Sequence, residues 1–412
     1  MAVAQAGRPR LARMRAGSML LGPAFVAAIA YVDPGNVASN VSAGAQFGYL
    51  LVWVVVAANL MAGLVQYLSA KLGLVTGMSL PEALRARMPR GGRLAYWGQA
   101  ELVAMATDLA EVMGGAIALN LLFDLPLLVG GVITGVVSMV LLLVQDRRGQ
   151  RPFERVITGL LAVIAVGFLA SLFVAPPSPS GIVSGLVPRF SGAESVLLAA
   201  AMLGATVMPH AVYLHSGLAR DRHGHATGSR LAGLLRITRF DVTLAMLVAG
   251  AVNLSMILLA ATNLRDLPGV DSIAGAHDAV GGTLGAGVAL LFAIALLASG
   301  LASTSVGAYA GAMIMQGLLR KRVPLLLRRL VTLLPAIIVL AAGADPSRTL
   351  VVSQVVLSFG IPFALIPLVK FTSDRSLMGA DANHRLTSVV AWAIAAVIVV
   401  LNLALIYLTF LA

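Results

Sequence analysis

The chain has 412 residues, of which 59% are hydrophobic and 11% are charged. Apolar runs of about 20 residues, long enough to cross a bilayer, recur along it, which excludes a soluble globular protein. The formal charge of +12 would suit a nucleic-acid-binding protein, but the positive residues are concentrated in alternate loops, as in membrane proteins. Because the sequence has no cysteine, disulfides and thiolate metal ligands are also excluded.

Eleven apolar runs are predicted to form membrane-spanning helices, which makes the chain an all-α membrane protein. The loops between these runs are too short to hold a soluble domain. The predicted centres of the spans, in chain order, are Ala30, Ala58, Thr107, Gly135, Ala165, Gly204, Gly250, Ala295, Pro335, Phe359 and Ile398.

The basic residues predict how the chain is oriented. Of the 29 Lys and Arg residues, all except Arg189, Arg265 and Arg348 fall in the N-terminal tail or in the loops on one side. The positive-inside rule places the N-terminus in the cytoplasm and, because the number of spans is odd, the C-terminus outside. The arginine-rich inner loops suggest a bacterial inner membrane. A cleaved signal peptide ending in Ala-Ile-Ala at residues 28–30 is the alternative, but the later spans match the charge pattern only if the first span is kept.

The first span, residues 19–41, is interrupted by Asp-Pro-Gly-Asn at residues 33–36. A carboxylate in the bilayer costs about 2.5–3.5 kcal/mol, and proline removes a backbone donor, so this segment is expected to break the helix and line a cavity. Asp33 then caps the second half-helix, and the first half ends with free carbonyls, that of Ala30 among them. With the Asn36 amide oxygen, these groups are oxygen ligands for a divalent cation. A loop turn is the alternative, but apolar residues flank the motif on both sides.

The sixth span contains a second break, at Met208-Pro209-His210. The half-helix before it is expected to end near Ala205 and Thr206 with free carbonyls. Met208 discriminates between classes of metal, because a thioether suits Mn²⁺, Fe²⁺, Co²⁺ or Cd²⁺ and is a poor ligand for Ca²⁺ or Mg²⁺. Met208 could instead pack in the core, as most of the 16 methionines must, but its place at a break in an equivalent span favours a ligand.

The two breaks indicate an internal repeat. The first ten spans divide into two sets of five, and because five is odd, the second set enters the membrane from the opposite side. This is the inverted repeat of many secondary transporters. The predicted organisation is a cytoplasmic tail (1–18), a first repeat (19–175), a second repeat (176–372), and an inner loop with a peripheral eleventh span (373–412).

Two carboxylates, Asp108 and Glu111, lie in the third span. Because they are three residues apart they share a helix face, and in an apolar span they need water, a partner or a proton. Arg328 and Arg329 are the expected countercharges, and both a proton route and a structural ion pair fit this arrangement. His210, at the second break, is a candidate proton carrier.

Several other activities lack their sequence signatures. None of the lysines follows a glycine, so there is no G-K-[ST] motif for an ATP-driven pump, and neither G-x-S-x-G nor H-E-x-x-H supports a membrane enzyme. The protein is therefore not expected to be an enzyme. His210 and His215, five residues apart, do not share a helix face, so a two-histidine metal site is not predicted.

At the residues described above, the chain resembles the Nramp family of proton-coupled divalent metal transporters. The resemblance rests on Asp-Pro-Gly-Asn at 33–36, Ala-Thr-Asp-Leu-Ala-Glu at 106–111 and Gly-Ala-Thr-Val-Met-Pro-His at 204–210. It runs from about Leu20 to the last span. It implies a leucine-transporter-like fold and import of Mn²⁺ and Fe²⁺, and in some members Co²⁺, Cd²⁺ or Zn²⁺, with protons. The metal is then a transported substrate, and no cofactor is implied.

The resemblance also implies roles for individual residues. The implied metal ligands are three side chains, two backbone carbonyls and one glutamine that approaches the metal in some states: Asp33, Asn36, Met208, Ala30, Ala205 and Gln354. The implied proton route consists of acids, a histidine and a basic pair: Asp33, His210, Asp108, Glu111, Arg328 and Arg329. A magnesium-selective branch of the family lacks the methionine, so Met208 argues against membership of that branch.

Two rival functions from the same residues stay open. A divalent-cation channel would use acidic rings built by oligomers, whereas this chain has one asymmetric site and is expected to work as a monomer. A same-fold carrier of amino acids would bind its substrate through backbone groups, a task poorly served by Asp33 and Met208. Gly307 and Gly311 form a G-x-x-x-G motif that is expected to allow close packing within one chain rather than a dimer contact.

Overall fold

The computed structural model describes residues 22–410 apart from 266, 268, 271 and 322. The predicted tail, residues 1–18, and the start of the first predicted repeat lie outside the described residues. Within those residues the chain is built of helices, and no strand occurs. The all-α prediction is therefore confirmed, whereas the proposed boundaries between the repeats remain predictions.

Eleven membrane-crossing units can be followed in the described part of the chain, and each contains one of the predicted centres. Spans 1 and 6 each consist of two half-helices, Pro23–Ala28 with Pro34–Phe47 and Gly192–Thr206 with Pro209–His223. The remaining spans are single helices; spans 2 to 5 are Val52–Thr76, Arg90–Phe123, Leu127–Arg148 and Gln150–Val174, and spans 7 to 11 are Gly228–Asn263, Ala286–Leu319, Leu325–Ala341, Pro346–Ser373 and Arg385–Phe410.

Length and hydropathy alone identify nine candidate crossings among the described residues. That count takes Pro34–Thr76 as one continuous helix, although a 3₁₀ turn at Gly48–Leu51 separates spans 1 and 2. It also omits span 9, whose 17 residues lie at the short end of the range for a membrane-spanning helix. Short helices connect the spans at Leu80–Arg87, Pro179–Gly185, Ile273–Leu284 and Arg375–Met378.

Spans 3 and 8 pack closely because glycines face each other across their contact. A Cβ atom on Gly300 would lie 2.8 Å from the backbone nitrogen of Gly115. Small residues of this kind let membrane helices approach each other at backbone distance, where van der Waals contact stabilises the pair. This contact holds the acidic face of span 3 against span 8.

The second half of span 6 is joined to span 2 and to the short helix Leu80–Arg87. Ser216 Oγ accepts a hydrogen bond from the backbone nitrogen of Leu80 (2.9 Å), and the Glu82 carboxylate pairs with Arg220. Burial raises the pKa of Glu82, but hydrogen bonds from Ser79 and the charge of Arg220 outweigh it and hold this pKa below its usual value. The ion pair therefore fixes the arginine-rich end of span 6.

Candidate metal and proton site

The first break forms as the sequence predicts, with Asp33 as a helix cap. Asp33 lies in extended backbone immediately before Pro34, and its Oδ1 accepts a hydrogen bond from the Asn36 backbone nitrogen (3.0 Å). Proline at the first helical position needs no hydrogen-bond partner for its nitrogen. In a continuous helix, however, that nitrogen would have bonded the carbonyl of Ala30, four residues earlier. The same proline thus starts one half-helix and frees an oxygen at the end of the other.

The second break repeats this register. Met208, fully buried and in extended backbone, occupies the N-cap position of the half-helix that Pro209 begins, without a side-chain capping hydrogen bond. Ala205 precedes Pro209 by four residues, so its carbonyl also lacks the helical donor. The same four-residue spacing therefore separates Ala30 from Pro34 and Ala205 from Pro209, as expected for two copies of one repeat.

The two breaks meet at the Asn36 side chain. Its Nδ2 donates to Asp33 Oδ1 (2.5 Å) in its own break and to the Ala205 carbonyl (2.9 Å) in the other. Thr206 Oγ1 donates to Asn36 Oδ1 (3.2 Å). Thus one carboxylate, one amide and one backbone carbonyl from spans 1 and 6 converge on a single buried point.

Thr206 was predicted only to end the half-helix with a free carbonyl, and no role had been predicted for its side chain. Its hydroxyl also donates to the Met202 carbonyl (2.6 Å), one helical turn earlier. A hydroxyl next to a predicted carbonyl ligand in an apolar span was the available signal. Its contact with Asn36, 170 positions away, could not be read from the sequence.

Gln354 reaches the first break from span 10. A Cβ atom on Gly35 would lie 1.9 Å from Gln354 Nε2 and 3.1 Å from Asp33 Oδ2, so any larger residue would displace the amide from this position. Asp33 Oδ2 and both polar atoms of Gln354 are buried without a hydrogen-bond partner among the described residues. Buried polar atoms of this kind are costly unless an ion or water satisfies them, and this arrangement suits a cation site.

No group of three or more His, Cys, Asp or Glu side chains that could hold a metal occurs among the described residues. The candidate ligand set is of another kind, because it contains one carboxylate, two amides, two carbonyls and a thioether. Oxygen donors with one sulfur fit a divalent transition metal better than a hard cation. The assignment of these residues as metal ligands remains a prediction.

Span 3 places its acidic residues beside span 9. Asp108 Oδ1 lies 2.5 Å from Nη1 of the fully buried Arg329, and because that nitrogen lacks good hydrogen-bond geometry, we regard the contact as an ion pair. Arg329 also donates to Ser138 Oγ (3.0 Å) and Thr304 Oγ1 (2.6 Å). Neither oxygen of the buried Glu111 accepts a hydrogen bond of normal geometry in the described part of the chain.

Arg328 has a different partner from the one expected. Its Nη2 donates to Glu101 Oε1 (2.7 Å) and its Nη1 to the Ala308 carbonyl (3.2 Å). Of the predicted basic pair, Arg329 alone contacts one of the two predicted acids, and that acid is Asp108. Glu101 precedes Asp108 by seven residues, two helical turns, and lies on the same face. This spacing was the signal for a third acid that the sequence reasoning missed.

The two histidines of span 6 have different surroundings. His210 is buried at the start of the second half-helix, and neither ring nitrogen has a hydrogen-bond partner among the described residues. His215 Nδ1 lies 2.7 Å from Gln66 Oε1, and Gln66 Nε2 donates to the Tyr31 hydroxyl (2.5 Å). His215 is therefore held by one polar contact, whereas His210 has none among the described residues. The role of His210 as a proton carrier remains a prediction.

The G-x-x-x-G motif of span 8 packs inside the chain, as expected. A Cβ atom on Gly307 would lie 3.0 Å from Glu111 Oε2, and one on Gly311 would lie 2.2 Å from Arg328 Nη2. These glycines therefore make room for the charged groups rather than forming a contact between subunits.

Broken helices that meet at a buried polar site define a class of protein, the multi-pass membrane transporter with a substrate site at the centre of an inverted repeat. The family model described as Natural resistance-associated macrophage protein-like, Nramp, matches residues 24–408. The chain belongs to the Nramp family. Members of this family are transporters, which confirms that the protein is not an enzyme.

Curated relatives cover nearly the whole chain. It is 69% identical to the divalent metal cation transporter MntH of Mycobacterium tuberculosis (strain ATCC 25618 / H37Rv) over 391 residues, 95% of this chain and 91% of the relative. It is 47% identical to the divalent metal cation transporter MntH of Bacillus subtilis (strain 168) over 392 residues, 95% of this chain and 92% of the relative.

Solved structures confirm the predicted fold. A crystal structure of the Eremococcus coleocola manganese transporter, in complex with an aromatic bis-isothiourea substituted compound, superposes with a TM-score of 0.84 at 32% identity, over 93% of this chain and 85% of that chain. A nucleobase-cation-symport-1 family transporter with bound bromovinylhydantoin superposes with a TM-score of 0.61 at 17% identity, over 94% of this chain and 91% of that chain, and shares the fold alone.

Proposed function

We propose that this protein is a secondary active transporter that imports divalent transition metal ions, Mn²⁺ and Fe²⁺ above all, together with protons. Co²⁺, Cd²⁺ and Zn²⁺ are further candidate substrates. The observation that supports the proposal best is the Asn36 amide, which donates to Asp33 Oδ1 and to the Ala205 carbonyl. A cation would replace this NH₂ group between the same two oxygens once the amide turns over to present Oδ1.

The ligand chemistry supports a transition metal over the rival substrates. Asp33 supplies a negative charge, Asn36 and the two alanine carbonyls supply neutral oxygens, and Met208 at the second break supplies a soft sulfur. An amino-acid carrier has no need of a carboxylate at that position. The relatives named divalent metal cation transporters, and the structural neighbour described as a manganese transporter, support the same substrate class.

The arrangement of charges supports proton coupling, and the two half-helices support alternating access. A divalent cation and a proton compete for Asp33, so metal binding favours release of the proton towards Asp108 and Glu111. The ion pairs of Arg329 with Asp108 and of Arg328 with Glu101 extend this polar route towards the arginine-rich end. An aqueous channel open at both sides would not need two half-helices that can move separately.

Orientation and assembly belong to the same proposal. The arginine-rich end faces the cytoplasm of a bacterial inner membrane, with the N-terminus inside and the C-terminus outside. The site is built by one chain, which supports function as a monomer.

The test is Mn²⁺ uptake into proteoliposomes that contain a pH-sensitive dye, with Ca²⁺ in excess outside. We expect uptake that acidifies the lumen and resists Ca²⁺, and we expect Met208→Ala to lose that resistance by about tenfold or more because oxygen ligands alone do not reject Ca²⁺. Met256→Ala, at another fully buried methionine, is the control that creates a cavity without removing a ligand. Equal inhibition by Ca²⁺ in all three proteins would contradict the role of Met208.

A further inference from the structure

A cavity of about 790 Å³ opens between the loop-side ends of spans 10 and 11, away from the metal site. Its charged and titratable side chains are all basic, and no carboxylate lines it among the described residues. The polar lining includes Arg375, His384, Arg385, Ser373 and Ser388. Arg375 and Arg385 are exposed, and the half-buried hydroxyls of Ser373 and Ser388 hydrogen-bond each other beside them (3.0 Å). Two exposed guanidinium groups around one cavity form a surface suited to an anion.

The frame of this cavity is held by specific hydrogen bonds. The Asn383 backbone nitrogen donates to the Thr372 carbonyl (2.9 Å), and its Nδ2 donates to Thr372 Oγ1 (2.9 Å). Lys71 Nζ, from span 2, donates to Asn383 Oδ1 (3.0 Å). Because Asn383 directly precedes His384 and Arg385, these bonds fix the segment that presents the basic side chains.

Two acidic residues, Asp374 and Asp381, are chain neighbours of lining residues, but neither lines the cavity itself. Asp374 Oδ1 accepts from the backbone nitrogen and the hydroxyl of Ser376 (2.8 and 2.7 Å). Its other oxygen pairs with Arg87, on the short helix Leu80–Arg87 (3.4 Å). The Arg375 and Arg385 charges in the cavity are therefore not cancelled by this carboxylate.

An apolar face continues from the cavity along the first turns of span 11. Leu386 and Val389, three residues apart, are 75% and 65% exposed, and Val389 also lines the cavity. Trp392, 42% exposed, follows one turn later, and tryptophan favours the interface between headgroups and acyl chains. A free phosphate would use only the polar cavity, whereas a phospholipid would use the cavity and this face.

We propose that the cavity between spans 10 and 11 binds the phosphate group of an anionic membrane lipid, whose acyl chains lie along Leu386 and Val389. A guanidinium group can donate two parallel hydrogen bonds to a phosphate group. Basic pockets between membrane helices are suited to anionic headgroups. The site is separate from the transport site and does not depend on the transported ion.

The test is native mass spectrometry of the detergent-purified full chain titrated with phosphatidylglycerol, with phosphatidylcholine as the neutral lipid. We expect the double variant Arg375→Gln/Arg385→Gln to bind phosphatidylglycerol about tenfold more weakly than the wild type, since each basic residue contributes several-fold. The matched control is Arg90→Gln/Arg147→Gln, which removes the same charge at two exposed arginines outside the cavity.

We expect the control to bind phosphatidylglycerol as the wild type does, and millimolar inorganic phosphate to displace little of the lipid. Equal weakening in both double variants would show a general attraction to positive charge and would overturn the proposal. The proposal would also be overturned if inorganic phosphate displaced phosphatidylglycerol at the same concentration as the lipid and phosphatidylcholine bound as well as phosphatidylglycerol. That result would identify a site for free anions.

Discussion

At the scale of single residues, Asp33 combines a structural and a chemical role. Its Oδ1 caps the half-helix that starts at Pro34, while its Oδ2 is buried without a hydrogen-bond partner among the described residues. The cap needs an oxygen acceptor, whereas a cation needs the negative charge. A substitution that keeps the acceptor and removes the charge therefore separates the two roles.

We predict that Asp33→Asn folds but reduces Mn²⁺ uptake to background, because Asn is as good a helix cap as Asp but brings no charge to the cation. The measurement is initial uptake in proteoliposomes, with thermal unfolding in detergent as the check on folding. Asp278→Asn, at a side chain that is 79% exposed, should transport normally. Retained uptake in Asp33→Asn would remove this carboxylate from the site.

Glu111 is the acid of span 3 without a direct ion-pair partner among the described residues, and it faces Gly307 of span 8. We predict that Glu111→Gln keeps metal affinity close to the wild-type value but flattens the pH dependence of uptake, since a glutamine cannot accept the proton. The measurement is Mn²⁺ binding by calorimetry and uptake across a pH series. Glu194→Gln, exposed in the first turn of span 6, should leave both unchanged.

At the scale of helices, close contacts at glycine position the half-helices against their neighbours. Span 2 packs against the second half of span 6 where Gly73 meets the backbone of Ser216, and a Cβ atom there would lie 2.0 Å from the Ser216 carbonyl oxygen. Backbone cannot be displaced as a flexible side chain can. The contact at Gly63 of the same helix is loose, with Met246 Cγ 3.8 Å away.

We predict that Gly73→Ala destabilises the protein by about 1–3 kcal/mol, the usual cost of overpacking, and slows uptake by shifting the second half of span 6. Gly63→Ala is the matched control in the same helix and should be neutral or slightly stabilising. Thermal unfolding and Mn²⁺ uptake of the two variants provide the comparison. Equal stability of both variants would mean that this contact does not position span 6.

At the scale of the whole molecule, the inverted repeat explains why two sites with the same local chemistry meet. Ala30 with Pro34 and Ala205 with Pro209 share one register, and the odd number of spans per repeat brings the second break into the membrane from the opposite side. The broken ends of the two helices then face each other near the middle of the molecule. Neither break alone would supply enough ligands.

The proposed orientation can be tested directly because the sequence has no cysteine that would need to be removed. We predict that Ser180→Cys, exposed between spans 5 and 6, reacts with an impermeant maleimide in intact cells. Arg147→Cys, exposed at the end of span 4, should react only after permeabilisation. The reverse labelling pattern would invert the topology.

The sequence by itself determined the spans, their breaks and the caps. Apolar run length, prolines and capping residues act over a few positions, so Asp33 and Pro34 could be assigned correctly from their immediate neighbours. The repeat followed from counting the spans. The expected ligand types followed from side-chain chemistry and remain a prediction.

The tertiary structure decided which polar groups meet. Thr206 binds Asn36 and Glu101 binds Arg328 across separations of 170 and 227 positions, and the His215 ring contacts Gln66. The packing and rotation of the helices determine these partners, because a buried polar group needs a hydrogen-bond partner on the helix that faces it. No local sequence pattern specifies which residues lie opposite each other. The pairing of Arg328 with span 3 was therefore predicted correctly, whereas its partner in that span, Glu101, was not.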